Sequence, residues 1–163
     1  MGNRFDVIVI GGGQSGLALG YYLRRTGLSY VILDNQECPG GSWPRSWNSL
    51  RLFSPAQWSS LPGMIMSGGG DYYPTRDEAV DYLKRYESKY HLPVKRLVDV
   101  LNIYRQIDGF NIEASDGWYY SRAVVSATGT FANPYVPTII GQEIFKGQIL
   151  HSSEYVSPDE FIG

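Results

Sequence analysis

The chain has a single cysteine, Cys38, in 163 residues. An intrachain disulfide is therefore excluded, and so is a cysteine pair for redox exchange or for a zinc site. An excess of positive charge is missing too. Lys and Arg number 14 against 16 Asp and Glu, a formal net charge of -2. Nucleic-acid surfaces need clustered cations, so no nucleic-acid partner is expected. No apolar run approaches the roughly 20 residues of a membrane span, so no membrane partner is expected either. Met1-Gly2-Asn3-Arg4 leads directly into a strand-like run, with no signal-peptide pattern ahead of it. Together with the lone cysteine this fits a reducing compartment, and a cytoplasmic location is expected. What the chain does have is 43% apolar residues, enough to pack one ordinary domain.

Phe5 to Ile10 is short, apolar and rich in β-branched residues, as a buried parallel strand is, and it ends in three glycines. Gln14 to Thr26 follows with apolar residues at helical spacing, Arg24 and Arg25 near its end, and Gly27 as a stop. Ser29 to Leu33 reads as a second strand, ending at Asp34. Residues 35–73 are rich in Gly, Pro, Ser and Trp, with at most a short strand at Leu50 to Phe53. A stretch this long without regular structure usually carries function or wraps a ligand. Thr75-Arg76-Asp77-Glu78 has the spacing of a capping box. The helix it opens is predicted to run to about Tyr90, with Ala79, Tyr82, Leu83 and Tyr86 as its apolar stripe.

Beyond Pro93, strand-like runs near Leu97 to Gln106, Gly109 to Ala114 and Trp118 to Ser121 are separated by Asp108-Gly109 and Asp116-Gly117, which are hairpin signals. That predicts an antiparallel β-meander. Ala123 to Ala127 reads as one more buried strand, and residues 133–163 as a proline-punctuated connector. The expected fold is α/β and Rossmann-like. Phe5–Ile10, Ser29–Leu33 and Ala123–Ala127 form a parallel central sheet with Phe5–Ile10 in its interior, and the meander lies on one face.

Gly11-Gly12-Gly13-Gln14-Ser15-Gly16 is a G-x-G-x-x-G between a strand and a helix, where a dinucleotide pyrophosphate needs it. Gly11 allows the tight turn, Gly13 lets a phosphate approach the backbone, and Gly16 lets the helix pack on the strand. The helix N-terminus offers free N–H groups and a positive dipole end. Asp34 lies roughly 20 residues past the turn, at the end of the second strand, where a carboxylate accepts from ribose hydroxyls. It would repel the additional phosphate of NADP. The residues themselves leave FAD and NAD both open at this site.

Further features lie outside that fingerprint: Gly40-Gly41-Ser42-Trp43 after Asp34, Ala127-Thr128-Gly129 after the meander, and Phe145-x-Gly147-x-x-x-His151-x-x-x-Tyr155 in the connector. Together they resemble the flavin-containing monooxygenases and their Baeyer–Villiger and N-hydroxylating relatives. Ser49-Leu50-Arg51-Leu52-Phe53-Ser54-Pro55 and Tyr73-Pro74-Thr75-Arg76 look most like the small bacterial flavoproteins of that group, some of which accompany arsenic-resistance genes. The resemblance implies an FAD site. Gly11, Gly13, Gln14, Ser15 and Gly16 would hold the pyrophosphate, and Asp34 with the adjacent Asn35 the adenosine ribose. Gly41, Ser42 and Trp43 would approach the pyrophosphate or flavin, Val100 the adenine edge, and Arg51 and Ser54 the isoalloxazine. Ala127, Thr128 and Gly129 complete the implied site. No catalytic residue is assigned, His151 included.

The resemblance further implies an incomplete two-dinucleotide-binding-domain architecture. Residues 1–132 would be the N-terminal part of the FAD-binding domain, and 133–163 a connector toward an NADPH-binding domain. No second G-x-G-x-x-G is present. The sequence is thus expected to be a truncated or shortened form, inactive alone. NADPH and a small-molecule substrate would be engaged only in a full-length protein. Apolar surface left by truncation would favour self-association. Two other functions remain beside this one: a stand-alone FAD- or NAD-binding module without turnover, and an NAD-dependent dehydrogenase domain. The Gly40-Gly41 loop and the meander disfavour the dehydrogenase.

Overall fold

The computed structural model describes residues 3–162. Strand β1 (Arg4–Ile10) is apolar on both sides over Val7 to Ile10, where both of its faces are covered. Val7 and Val9 point to one face, where they meet Leu17 and Tyr21 of helix α1 (Gln14–Leu23) and Tyr82, Leu83 and Tyr86 of helix α2 (Arg76–Lys89). Ile8 and Ile10 point to the other face and pack with Val98, Ile112, Ala114 and Tyr119. One strand of alternating side chains thus organises two cores.

Beside β1 lie β2 (Tyr30–Leu33) and the two-residue β3 (Val94–Lys95). On its other side are β6 (Gly117–Ser126), β5 (Gly109–Ala114) and β4 (Val100–Gln106). The spatial order is β3-β2-β1-β6-β5-β4. β1 is parallel to β2 and to β6, with Ile10 opposite Leu33 and Ser126, while β4, β5 and β6 are antiparallel. The interior position expected for Phe5–Ile10 is the one observed.

Two expectations are corrected. Trp118–Ser121 and Ala123–Ala127 are one strand, not two. Arg122 does not interrupt β6, because its side chain stands out in solvent beside Asp6 of β1, 3.3 Å away. In consequence the meander is hydrogen-bonded into the main sheet through β6. It also covers the Ile8/Ile10 face, through Ile112, Ala114 and Tyr119. The second correction is β3. Two residues carry no periodicity, and it follows Pro93 directly, where the sequence shows only a helix stop. Smaller differences are that α1 ends at Leu23 and that Leu50–Phe53 contributes only an isolated bridge, Arg51 to Thr75.

The capping box at α2 forms as expected. Thr75 Oγ1 accepts from the Glu78 N–H at 3.3 Å, and Glu78 Oε2 accepts from the Thr75 N–H at 2.8 Å. Thr75→Ala is expected to cost about 1 kcal/mol of stability in a denaturant melt. The Thr75 backbone N–H and the Tyr72 hydroxyl hold the Glu78 carboxyl below its ordinary range. Because the folded value is depressed, the benefit of ionised Glu78 is present at neutral pH and fades as pH falls through that value. The stability gap between wild type and Glu78→Gln is therefore expected to narrow in melts below about pH 4.

The stripe predicted for α2 is buried, and its tyrosines do more than fill space. Tyr82 Oη accepts from the Leu61 N–H at 2.7 Å and donates to the Met64 carbonyl; Tyr86 donates to the Pro62 carbonyl at 2.7 Å, and Tyr90 to that of Gly63. One helix face thus holds the backbone of residues 61–64. After β6 the described chain contains only short 3-10 turns, at Gln142–Ile144 and Pro158–Phe161. The Asn48 N–H donates to the Val156 carbonyl at 2.9 Å and Trp47 lies against Tyr155, which ties this stretch to the body of the protein.

Candidate dinucleotide-binding site

The turn between β1 and α1 is built by close backbone approach. Gly11 has φ +106°, and a Cβ there would lie 2.3 Å from the Ala127 carbonyl oxygen. A Cβ on Gly16 would lie 1.9 Å from the Gly11 carbonyl oxygen, so the helix can seat on the strand only with glycine at this position. Gly13 differs. Its own φ is -79°, and a Cβ would meet only the Gly41 Cα, at 3.8 Å. Glycine at 13 is therefore not demanded by the protein's own packing; it leaves the backbone bare on the open side. Gly13 is also the N-cap of α1 and offers no side-chain cap, and the first turn holds no acidic residue. The leading N–H groups of the helix are left available to an anion.

A cleft of about 740 Å³ opens above this turn. It gathers Gly11, Gly13, Gln14, Ser15, Asp34, Asn35, Gly41, Ser42, Trp43, Val100, Ala127, Thr128 and Gly129 along its walls. These come from the β1, β2 and β6 ends, the Gly40–Trp43 loop and the start of β4. Gly16 lies beneath the turn and acts through packing. Arg51 and Ser54 are outside the cleft. Arg51 donates to the Tyr73 carbonyl at 2.8 Å, and Ser54 lines a second cavity of about 320 Å³ with Leu52, Phe53 and Trp58. Gln14 and Trp43 border both spaces, so the second cavity adjoins the helix-N-terminal end of the cleft. Trp43 also packs on the α1/α2 core.

Asp34 is 4% exposed and lines the cleft. Its Oδ1 accepts from the Gln36 N–H at 3.2 Å, and its Oδ2 is paired with the Arg96 guanidinium. A Cβ on Gly12 would fall 2.4 Å from Oδ2, so this glycine, a free position in the motif, is fixed by its direct contact with the acid. Sequence reasoning missed Gly12, Arg45 and Arg96. Arg45 lies over the Phe131 ring, 5.1 Å from its centre, and closes one wall. His151 lies away from the cleft, its Nδ1 2.8 Å from Ser153 Oγ. Cys38 is exposed and is the sole cysteine of the chain, so no dithiol accompanies the fold.

A parallel strand-turn-helix with an uncapped helix end, a close-packed glycine turn and an acid at the next strand end defines a Rossmann-like dinucleotide-binding unit. A model of the pyridine nucleotide-disulphide oxidoreductase family matches residues 8–162, and the chain belongs to that family. It is 50% identical to a flavin-containing monooxygenase from Stenotrophomonas maltophilia of known structure. The TM-score is 0.92, over 99% of this chain and 49% of that one. It is 37% identical to a CzcO-like oxidoreductase of Geobacillus kaustophilus, over 95% of this chain and 44% of the relative. It is 30% identical to an indole-3-pyruvate monooxygenase of Oryza sativa, over 96% of this chain and 40% of the relative. The chain thus spans less than half the length of these relatives. An S-allyl-L-cysteine S-oxygenase of Allium sativum, 23% identical with a TM-score of 0.85, shares the fold.

Proposed function

We propose that this chain is the FAD-binding portion of a flavin- and NADPH-dependent monooxygenase. The observation that carries this reading is the continuity of the glycine-turn cleft, through Gln14 and Trp43, with a second cavity lined by aromatic and apolar side chains together with Ser54, Ser59 and Ser60. A dinucleotide whose far end is a large planar ring system fits such a pair of spaces. The residues present fit FAD chemically. The bare backbone at Gly13 and the free N–H groups at the start of α1 take the pyrophosphate. Asp34 accepts from the adenosine ribose, with Asn35 beside it and Val100 near the adenine. Gly41, Ser42 and Trp43 line the way toward the flavin, and Ser54 lies in the cavity beyond. Ala127, Thr128 and Gly129 line the same cleft, Ala127 against the Gly11 turn.

Bound FAD would supply the redox and oxygen chemistry, and the protein binding, orientation and exclusion of water. Arg51 is assigned a structural part, since it pairs with the Tyr73 carbonyl and not with the cleft. We read residues 133–163 as connector, NADPH and a small-molecule substrate as ligands of a longer protein, and the cytoplasm as its location. Among the described residues no helix is long and apolar enough to cross a membrane.

The test is titration of the protein with FAD, followed by flavin fluorescence, and competition by ADP. Asp34→Ala is expected to weaken FAD by about 1–3 kcal/mol, the scale of a lost charged hydrogen bond. ADP affinity should fall in parallel, because the missing contact is to the adenosine half. Unchanged affinity in the variant would overturn the assignment.

A further inference from the structure

Asp34 does not stand alone. The Arg96 guanidinium bridges two carboxylates, with Nη1 on Asp34 Oδ2 and Nη2 on Glu87 Oε2. Side-chain exposure is 5% for Asp34 and 17% for each of the other two. The three come from three elements: Asp34 from the end of β2, Arg96 from just after β3, and Glu87 from the last turn of α2. Asp34 lines the cleft; Arg96 and Glu87 do not. The Arg96 Nε has no partner and is buried, so its two terminal nitrogens alone hold the guanidinium. Burial pushes the Glu87 carboxyl up, and the adjacent guanidinium opposes this.

A carboxylate that must accept from two ribose hydroxyls needs a fixed plane. Asp34 has its Oδ1 held by the Gln36 N–H and its Oδ2 held by Arg96, with Gly12 pressed against the same oxygen. Each oxygen keeps lone-pair capacity for one more donor. Without Arg96, two buried carboxylates would share the space behind the cleft with no cation between them, and the Asp34 plane would lose its one side-chain restraint.

We propose that Arg96, anchored by Glu87, is a positioning residue that orients the Asp34 carboxylate toward the adenosine ribose of the bound dinucleotide. The proposal rests on the FAD-site reading above. It makes the end of α2 part of the cofactor site without contact to the cofactor, much as outer partners orient the ligands of other sites. Arginine offers one terminal nitrogen to each carboxylate in a fixed fork, which the single ammonium of lysine reproduces only in part.

The experiment is a double-mutant cycle on FAD and ADP affinity, with melting temperature measured alongside. Wild type, Asp34→Ala, Arg96→Met and the double variant are titrated. Glu87→Gln/Arg96→Met serves as a charge-balanced substitute should Arg96→Met fail to fold. Arg96→Met, or that substitute, is expected to weaken both FAD and ADP by roughly ten- to a hundredfold. In the Asp34→Ala background the same change should have no further effect. Arg96→Lys should recover part of the loss, and Glu87→Gln should weaken binding by a smaller factor than Arg96→Met. Equal losses from Arg96→Met with and without Asp34 would overturn the proposal, as would a lowered melting temperature with unchanged affinity. Failure of the wild-type protein to bind either FAD or ADP would instead overturn the dinucleotide site itself, which separates the two failures.

Discussion

Gly13→Ala is expected to leave the melting temperature near that of the wild type while removing FAD binding, whereas Gly16→Ala removes both. The two glycines look alike in the motif, but their surroundings differ. At Gly13 the backbone is already in a conformation open to any L-residue, and the added methyl would have one neighbour, at 3.8 Å. Its cost falls on the ligand, because the methyl would occupy the surface a pyrophosphate must approach. At Gly16 the methyl would sit 1.9 Å from the Gly11 carbonyl oxygen, a backbone atom that cannot rotate away. Overpacking of this kind costs about 1–3 kcal/mol even where side chains can yield. Calorimetric melts with parallel FAD titrations read both quantities. A stable Gly13→Ala protein with wild-type affinity would remove the pyrophosphate from this turn.

The second large effect lies in α2. Tyr86 is fully buried among Val9, Tyr21, Tyr82 and Leu83, and its hydroxyl donates to the Pro62 carbonyl. Tyr86→Ala removes an aromatic ring from a packed core and is expected to cost about 3–5 kcal/mol. That is a large share of the roughly 5–15 kcal/mol that holds a domain together. Tyr86→Phe keeps the ring and loses one hydrogen bond, and is expected to cost about 1–2 kcal/mol through the carbonyl left unpaired. The comparison in urea melts separates packing from hydrogen bonding. If the two variants were equally destabilised, the tie to residue 62 and not the ring would be what matters.

The parts of the site that were legible in the sequence are those fixed by local spacing. The glycine turn follows a strand and opens a helix, and Asp34 ends the next strand. Those relations survive in a one-dimensional reading because each depends on chain neighbours. The capping box at Thr75 and Glu78 was legible for the same reason. Arg96 was not. It reaches Asp34 across 62 residues, on the exit from a strand of two residues, and nothing in Val94-Lys95-Arg96 marks that pairing. The unity of β6 was hidden because Arg122 looks like an interruption when its side-chain direction is unknown. Arg51 and Ser54 entered by resemblance, and only folding shows that one of them braces residues 73–75 while the other lines the adjoining cavity.

The continuity of β6 bears on how the domain comes apart. Tyr120 and Ser121 have partners on both sides, Arg4 and Phe5 of β1 and Asn111 and Phe110 of β5. Ser121 is wholly inaccessible to solvent. The meander cannot open at this point without loosening the strand that carries the glycine turn, nor can β1 leave without unseating the meander. Hydrogen exchange through both halves of the sheet would then proceed by one cooperative opening. The cleft walls at Val100 and at Gly11 belong to that one opening unit.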